Sequence, residues 1–161
     1  MTDVKTISIF KYAALDVALV GLACLIPTMS HLFAVPLYKA NPMLLLLLTG
    51  MLMSRDWKNT LLLAVAMPLA SSLLTGMPAA GKVVCMMAEL VMVALVFNEL
   101  KDKMHTLAAV LLAIVSAKMV YYALKAIVVA PAVLVGTEWW MQLASVVLWG
   151  GLFAMVYKRV R

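Results

Sequence analysis

Long apolar runs, broken by charged residues or by proline and glycine, dominate the pattern of this chain. A bilayer-spanning helix needs about 20 mostly apolar residues, and the runs approach that length. The second run is the least regular, because Pro36 and Pro42 flank Asn41 and leave a short apolar core; a tilted helix, a broken helix and a loop that folds back over a cavity are all open. The pattern predicts six transmembrane helices, at about 7–27, 36–54, 58–74, 82–99, 105–130 and 138–157.

The basic residues fall almost entirely on one side of this six-helix arrangement. Those on the favoured side are Lys5, Lys11, Arg55, Lys58, Lys101, Lys103, Lys158, Arg159 and Arg161. Only Lys39 and Lys82 lie on the other side. The positive-inside rule therefore predicts that both termini, with the Ser54–Asn59 and Asn98–His105 connections, are cytoplasmic. The more irregular connections then face outward, as expected for a protein that receives a ligand from outside: Thr28–Asn41, Thr75–Lys82 and Ala130–Thr137.

Composition supports the same class of protein. The 161 residues are 66% hydrophobic and 12% charged, against about 25% charged in soluble domains. We expect an all-α integral membrane protein with one domain, residues 1–161. The net charge of +6 does not indicate nucleic-acid binding, because the basic residues stand singly or in pairs at the ends of apolar runs. The first helix is expected to be retained, since Lys11 and Asp16 interrupt a signal-peptide pattern.

Ionisable residues within membrane spans are costly and point to function. Four occur here: Asp16, Glu89, Lys118 and Lys125. At about 1.5 Å per residue, Glu89 lies about 12 Å below the outer end of the fourth helix. Lys125 and Lys118 lie about 8 and 18 Å below the outer end of the fifth helix. These depths are compatible with one outward-opening cavity lined by all three.

The fifth helix carries a cationic and aromatic face. Lys118, Tyr121, Tyr122 and Lys125 recur at helical spacing, so they share one side. Such a face binds a carboxylate through ammonium donors while a ring stacks on tyrosine. A second interpretation stays open, in which Lys118 pairs with Asp16 at similar depth and Lys125 extends outward to the interface.

The segment Pro68 to Pro78, which reads PLASSLLTGMP, and the Glu89-Leu90 pair that follows carry a family resemblance. They resemble the third loop and fourth helix of the substrate-binding S components of energy-coupling factor (ECF) vitamin transporters. Ala79 and Ala80 stand where relatives often have a second proline. The resemblance implies a receptor in a prokaryotic cell membrane that captures a small vitamin-like ligand. In that family the receptor docks on a transmembrane T component and two cytoplasmic ATPases.

The resemblance and the polar residues of the outer ends define further candidate residues. The resemblance implies that Glu89 belongs to the substrate-binding site. Thr75 and Gly76 supply a hydroxyl and backbone donors at the cavity mouth, or form only a tight hairpin. Trp139 and Gln142 open the sixth helix, where tryptophan is also common as an interfacial belt.

The first helix offers a candidate docking surface for a partner. Ala14 and Ala18 form a small-residue pair that lets another helix approach closely, and in S components such a face docks on the T component. The same spacing also serves internal packing. Asp16 is rotated by about 200° from the alanines, which is compatible with a position facing the bundle interior.

Signatures of catalysis, metal binding and nucleotide binding are missing from the sequence. We therefore expect neither an enzyme nor a bound cofactor or metal. Cys24 and Cys85 are expected to be packing residues, and a disulfide between them stays open. The two deep lysines favour an anionic ligand, for example pantothenate or niacin, over a cationic one such as thiamine. Two other functions stay open: a solitary transporter that uses Asp16 or Glu89 to couple to protons, and a structural membrane protein without a ligand.

Overall fold

The computed structural model describes residues 2–33, 40–54, 56–128 and 139–160, and this part of the chain is helical throughout, apart from short connections. Five of the helices contain stretches long and apolar enough to cross a membrane, whereas the second has only 13 residues. The all-α prediction is confirmed, and these helices indicate a multi-pass membrane protein. The helices are α1 (Thr2–Leu32), α2 (Pro42–Ser54), α3 (Trp57–Thr75), α4 (Ala80–Leu100), α5 (Thr106–Val128) and α6 (Trp139–Val160).

The second helix is shorter than the prediction of 36–54. The prediction is wrong at Ala40 and Asn41, which precede the helix, while residues 36–39 lie outside the described part. Asn41 has a left-handed backbone (φ 53°), which asparagine tolerates better than most residues. Pro42 begins α2, because its fixed φ and missing N–H suit the first helical position.

The first helix is longer than predicted and continues through Pro27 to Leu32. Proline interrupts a helix less severely inside a membrane bundle, where neighbouring groups satisfy the freed carbonyl.

Both ends of α3 have the capping residues that are common in helices. The Asp56 carboxylate accepts a hydrogen bond from the Lys58 N–H at 3.0 Å, and Gly76 ends the helix with φ 70°.

The helices form a closed ring of neighbours in the order α1, α3, α4, α5, α6 and α2, and α2 also packs against α3. The interface between α4 and α5 is the most extensive. On α5, the alanines Ala109, Ala113 and Ala117 recur every four residues and are fully buried. Small residues at this spacing let neighbouring helices approach closely, which explains the tight packing.

Burial is uneven around the ring. Of the apolar window of α1, 11% is buried, against 28–39% in the other four long helices. By contrast, Leu44, Leu47 and Leu48 of α2 are almost completely buried. The short helix therefore contributes to the apolar core along much of its length, and α1 lies at the edge of the core.

A half-open cavity of about 200 Å³ shows which helix ends lie together. Leu52 at the end of α2, Trp57 at the start of α3, Lys101 after α4 and Tyr157 near the end of α6 all line it. These four helix ends therefore share one side of the bundle, which also carries Lys58, Lys103, Lys158 and Arg159. We call this side the basic end.

Candidate functional site

A buried ion pair joins the middle of α4 to the middle of α5. The Nζ atom of Lys118 lies 2.7 Å from Oε1 of Glu89, and the two side chains are only 13% and 6% exposed. Desolvation of two charges is expensive, so such a pair persists only where further hydrogen bonds support it. The sequence predicted both residues as site residues but did not establish that they pair.

The N-terminus of α2 supplies one of these supports. Asn41 donates a hydrogen bond from Nδ2 to Oε1 of Glu89 at 3.2 Å. Its carbonyl accepts the first bonds of α2, from Leu44 and Leu45. The Glu89 carboxylate thus lies beside a helix N-terminus, whose partial positive charge stabilises an anion.

The short length of α2 places this N-terminus level with the middle of α4, where Asn41 is half-buried beside Glu89. Thirteen residues span about 20 Å, roughly 10 Å less than the hydrocarbon thickness of a bilayer. Non-helical backbone at that depth must have its polar groups satisfied. Trp149 of α6 meets this need, since its indole Nε1 donates to the Ala40 carbonyl at 2.7 Å.

Gln142 provides the second support for the ion pair. Its Oε1 accepts a hydrogen bond from Lys118 Nζ at 3.0 Å, which links α5 to α6. The backbone carbonyl of Gln142 also accepts a bond from Ser145 Oγ. Lys118 is thus held by a carboxylate and an amide. Three helices and the residue before α2 contribute to one polar cluster, comprising Asn41, Glu89, Lys118 and Gln142.

The cationic and aromatic face of α5 lies beside this cluster. Lys118 Nζ is 5.4 Å from the ring centre of Tyr121, and Lys125 Nζ is 5.9 Å from the ring centres of both Tyr121 and Tyr122. The two rings meet edge to face at 5.2 Å. These distances are typical of cation–π contacts, so the rings hold both ammonium groups on one side of the helix.

The polar groups of the Thr75–Gly76 turn form hydrogen bonds with neighbouring residues of the same turn. Thr75 Oγ1 lies 2.7 Å from the Ser71 carbonyl and 3.1 Å from the Met77 carbonyl, and it accepts from the Met77 N–H. Gly76 donates its N–H to the Ser72 carbonyl as the helix cap. These contacts match the hairpin interpretation of Thr75 and Gly76, and neither residue makes a described hydrogen bond to the polar cluster.

Asp16 lies near the opposite end of the bundle from Gln142. Its Oδ1 accepts a hydrogen bond from Nδ2 of Asn59 at 2.9 Å, and Asn59 is in the first turn of α3. The interpretation that Lys118 pairs with Asp16 is therefore wrong. Its depth estimate assumed an outer end near residue 27, whereas α1 extends to Leu32 and places Asp16 further from that end.

The alanine pair of α1 lies on a different side from Asp16. Ala14 and Ala18 are both exposed, as is Val17, whereas Asp16 is half-buried against α3. The exposed alanines are compatible with the predicted docking surface.

At the start of α6, Trp140 is 86% exposed, as expected for a residue at the lipid interface, and the side chain of Trp139 lies outside the described part.

Both cysteines are free, and Cys85 Sγ lies 3.3 Å from the Gly81 carbonyl, as a donor would. Among the described residues, no group of three or more acidic, histidine or cysteine side chains is arranged to hold a metal ion.

Asn41 and Trp149 were not among the predicted site residues. The signal for Asn41 was the break between two prolines in the second apolar run.

Searches of protein families, curated proteins and solved structures find no match to this chain.

Proposed function

We propose that the protein is the substrate-binding S component of an ECF-type importer and captures a small, carboxylated, vitamin-like nutrient. The motif-level resemblance at 68–90 supports the family, and the polar cluster supports a ligand site near its Glu89. A cluster contributed by three helices, beside the N-terminus of a short helix that starts level with the middle of α4, is the kind of site that membrane transporters use.

The position of Lys125 is the observation that supports an anionic ligand. Lys118 already has the Glu89 carboxylate and the Gln142 amide as partners. Lys125 has no carboxylate partner among the described residues and lies over two tyrosine rings. It is also within electrostatic range of Lys82 and Lys118. Lys118 and Lys125 together carry two positive charges beside the single Glu89 carboxylate, and a ligand carboxylate on Lys125 balances the second.

The tyrosines suggest how the rest of the ligand is held. A flat or apolar group attached to the carboxylate packs on the edge-to-face rings of Tyr121 and Tyr122. In this proposal the Glu89–Lys118 pair orients the walls of the site, and Lys125 binds the anion. The energising subunits, a T component that docks on the Ala14 and Ala18 side of α1 and two ATPases, follow from the resemblance.

The test is a thermal-unfolding measurement of the purified protein against a panel of water-soluble vitamins and precursors. A ligand at 100 times its Kd stabilises the folded state by about 2.7 kcal/mol. We expect one carboxylated compound to stabilise the wild type and not Lys125→Gln. Lys103→Gln, a lysine-to-glutamine change at the basic end, is the matched control and keeps the effect.

Other outcomes separate the alternatives. Equal stabilisation by the acid and by its uncharged amide contradicts the anionic ligand. Uptake into liposomes driven by a proton gradient, without ATPases, supports a solitary proton-coupled transporter. A lack of response to every compound, with Glu89→Gln fully folded, supports a structural membrane protein.

A further inference from the structure

The cavity at the basic end has the features of a second binding site. It lies between the ends of four helices, on the opposite side of the bundle from the start of α6. Its volume of about 200 Å³ is below the about 300–1,000 Å³ of typical small-molecule sites. That room matches the polar head of a phosphate ester rather than a whole lipid or nucleotide.

The lining divides into an apolar floor and a polar rim. The floor is formed by Met51, Leu52, Ala94 and Phe97. The Thr60 hydroxyl is buried beside this floor. The rim carries the Asn98 amide, the Lys101 ammonium, the Asp102 carboxylate and the rings of Trp57 and Tyr157. This arrangement suits a ligand with one charged head and an apolar continuation.

Two rim residues are arranged as anion donors. Lys101 Nζ donates to Oδ1 of Asn98 at 2.7 Å, which uses one of three ammonium hydrogens. Because this bond occupies the amide oxygen, Asn98 turns its NH₂ group away from Lys101. That NH₂ group makes no hydrogen bond within the described ranges. Thr60 is already engaged with the Asp56 carbonyl, and Asp102 makes an interaction of its own.

The surroundings favour an anion that belongs to the membrane. Rim residues Trp57, Asp102 and Tyr157 are each followed in the chain by an exposed lysine. These lysines are Lys58, Lys103 and Lys158. Beside the floor, Met53 is 55% exposed, and Trp57 at the rim is 44% exposed. Tryptophan and lysine at helix ends lie at the depth of lipid headgroups, and basic pockets between membrane helices bind anionic headgroups.

We propose that this cavity binds the phosphate of an anionic phospholipid from the adjacent leaflet. Lys101 and the Asn98 NH₂ group donate to the phosphate oxygens, and the acyl chains extend over the exposed apolar surface at Met53. Lys58 and Lys158 beside the rim favour a net negative lipid over a zwitterionic one. The site is separate from the proposed nutrient site and does not depend on it.

The test uses the full chain in nanodiscs of equal parts phosphatidylglycerol and phosphatidylcholine. After mild release, native mass spectrometry counts the lipids that stay bound. We expect one retained phosphatidylglycerol on the wild type, and about tenfold weaker retention in Lys101→Gln, since a charge-assisted hydrogen bond is lost. Lys103→Gln is the matched control, because Lys103 is exposed, bonded to Glu99 and not part of the lining.

A second variant tests the cavity without changing charge. Ala94→Phe fills the floor, and it too is expected to lose the bound lipid while Lys101 is intact. Circular dichroism first establishes wild-type helicity for each variant. Equal retention of the two lipids, or equal loss in Lys101→Gln and Lys103→Gln, overturns the proposal. So does protection from thermal unfolding by soluble glycerol phosphate equal to that by short-chain phosphatidylglycerol, which assigns the site to a soluble ester.

Discussion

Removal of Lys118 alone is expected to cost more than removal of both members of the Glu89–Lys118 pair. Lys118→Met leaves the Glu89 carboxylate 6% exposed, with Asn41 as its remaining described donor. Breaking a buried pair in this way costs about 3–5 kcal/mol. Glu89→Gln leaves a lysine at membrane depth, where an unpaired charge costs about 2.5–3.5 kcal/mol. Gln142 and Tyr121 remain beside that lysine, so we expect a loss of about 2 kcal/mol.

The double variant Glu89→Gln/Lys118→Met contains neither charge, and both replacements are close in volume to the originals. Its loss of stability is expected to be about 2 kcal/mol, because apolar or neutral replacements of a buried pair are often tolerated. The sum of the single losses is about 5–7 kcal/mol, so the coupling energy is about 3 kcal/mol or more. The assay is reversible unfolding in mixed micelles, followed by tryptophan fluorescence.

The chain offers a matched control cycle with the same residue types. Lys103 and Glu99 form a 3.3 Å pair, but their side chains are 67% and 70% exposed. Exposed pairs of this spacing couple by about 0.3–0.5 kcal/mol. If the Glu89–Lys118 cycle is additive within about 0.5 kcal/mol, like the control, the buried pair does not stabilise the bundle and the reasoning is refuted.

Two further predictions concern the backbone. Gly76→Ala is expected to lose about 1 kcal/mol of stability, because φ is 70° at this position. Gly151→Ala is the control and is expected to be neutral or stabilising, since Gly151 has equally open space without a positive φ. Equal shifts in the unfolding temperature of the two variants contradict this prediction. Trp149→Phe is expected to lose about 1 kcal/mol, because it removes the hydrogen bond to the Ala40 carbonyl. Trp140→Phe, at an 86% exposed position, is the control, and a comparable loss in denaturant unfolding contradicts the role of Trp149.

The helix pattern was predictable because apolar runs of span length have few other structures available in a membrane. The pairing within the site was not, since it depends on which helices are neighbours. Glu89 and Lys118 meet because α4 and α5 adjoin, and Gln142 joins them because α6 adjoins α5. Composition cannot supply that order. The family resemblance and the vitamin-like ligand stay predictions.

The error over Asp16 has a different origin. Its depth was measured from a predicted helix end at residue 27, whereas α1 continues through Pro27 to Leu32. A shift of five residues moves a side chain by about 7.5 Å along a helix, which is enough to change its partner. Depth estimates in membrane helices are therefore only as good as the assigned termini.

The hydrogen bond between Asp16 and Asn59 also affects how the chain is assembled during synthesis. Its partners are 43 residues apart, and α1 enters the membrane before α3 exists. At about 5–20 residues per second, Asp16 waits roughly 2–9 s for Asn59. During that interval the apolar residues of α1 alone must offset the cost of an unpaired acid in the membrane, which is about 2.5–3.5 kcal/mol. Insertion of the first helix is thus set by its own sequence, and its fixed position in the bundle comes only with the third.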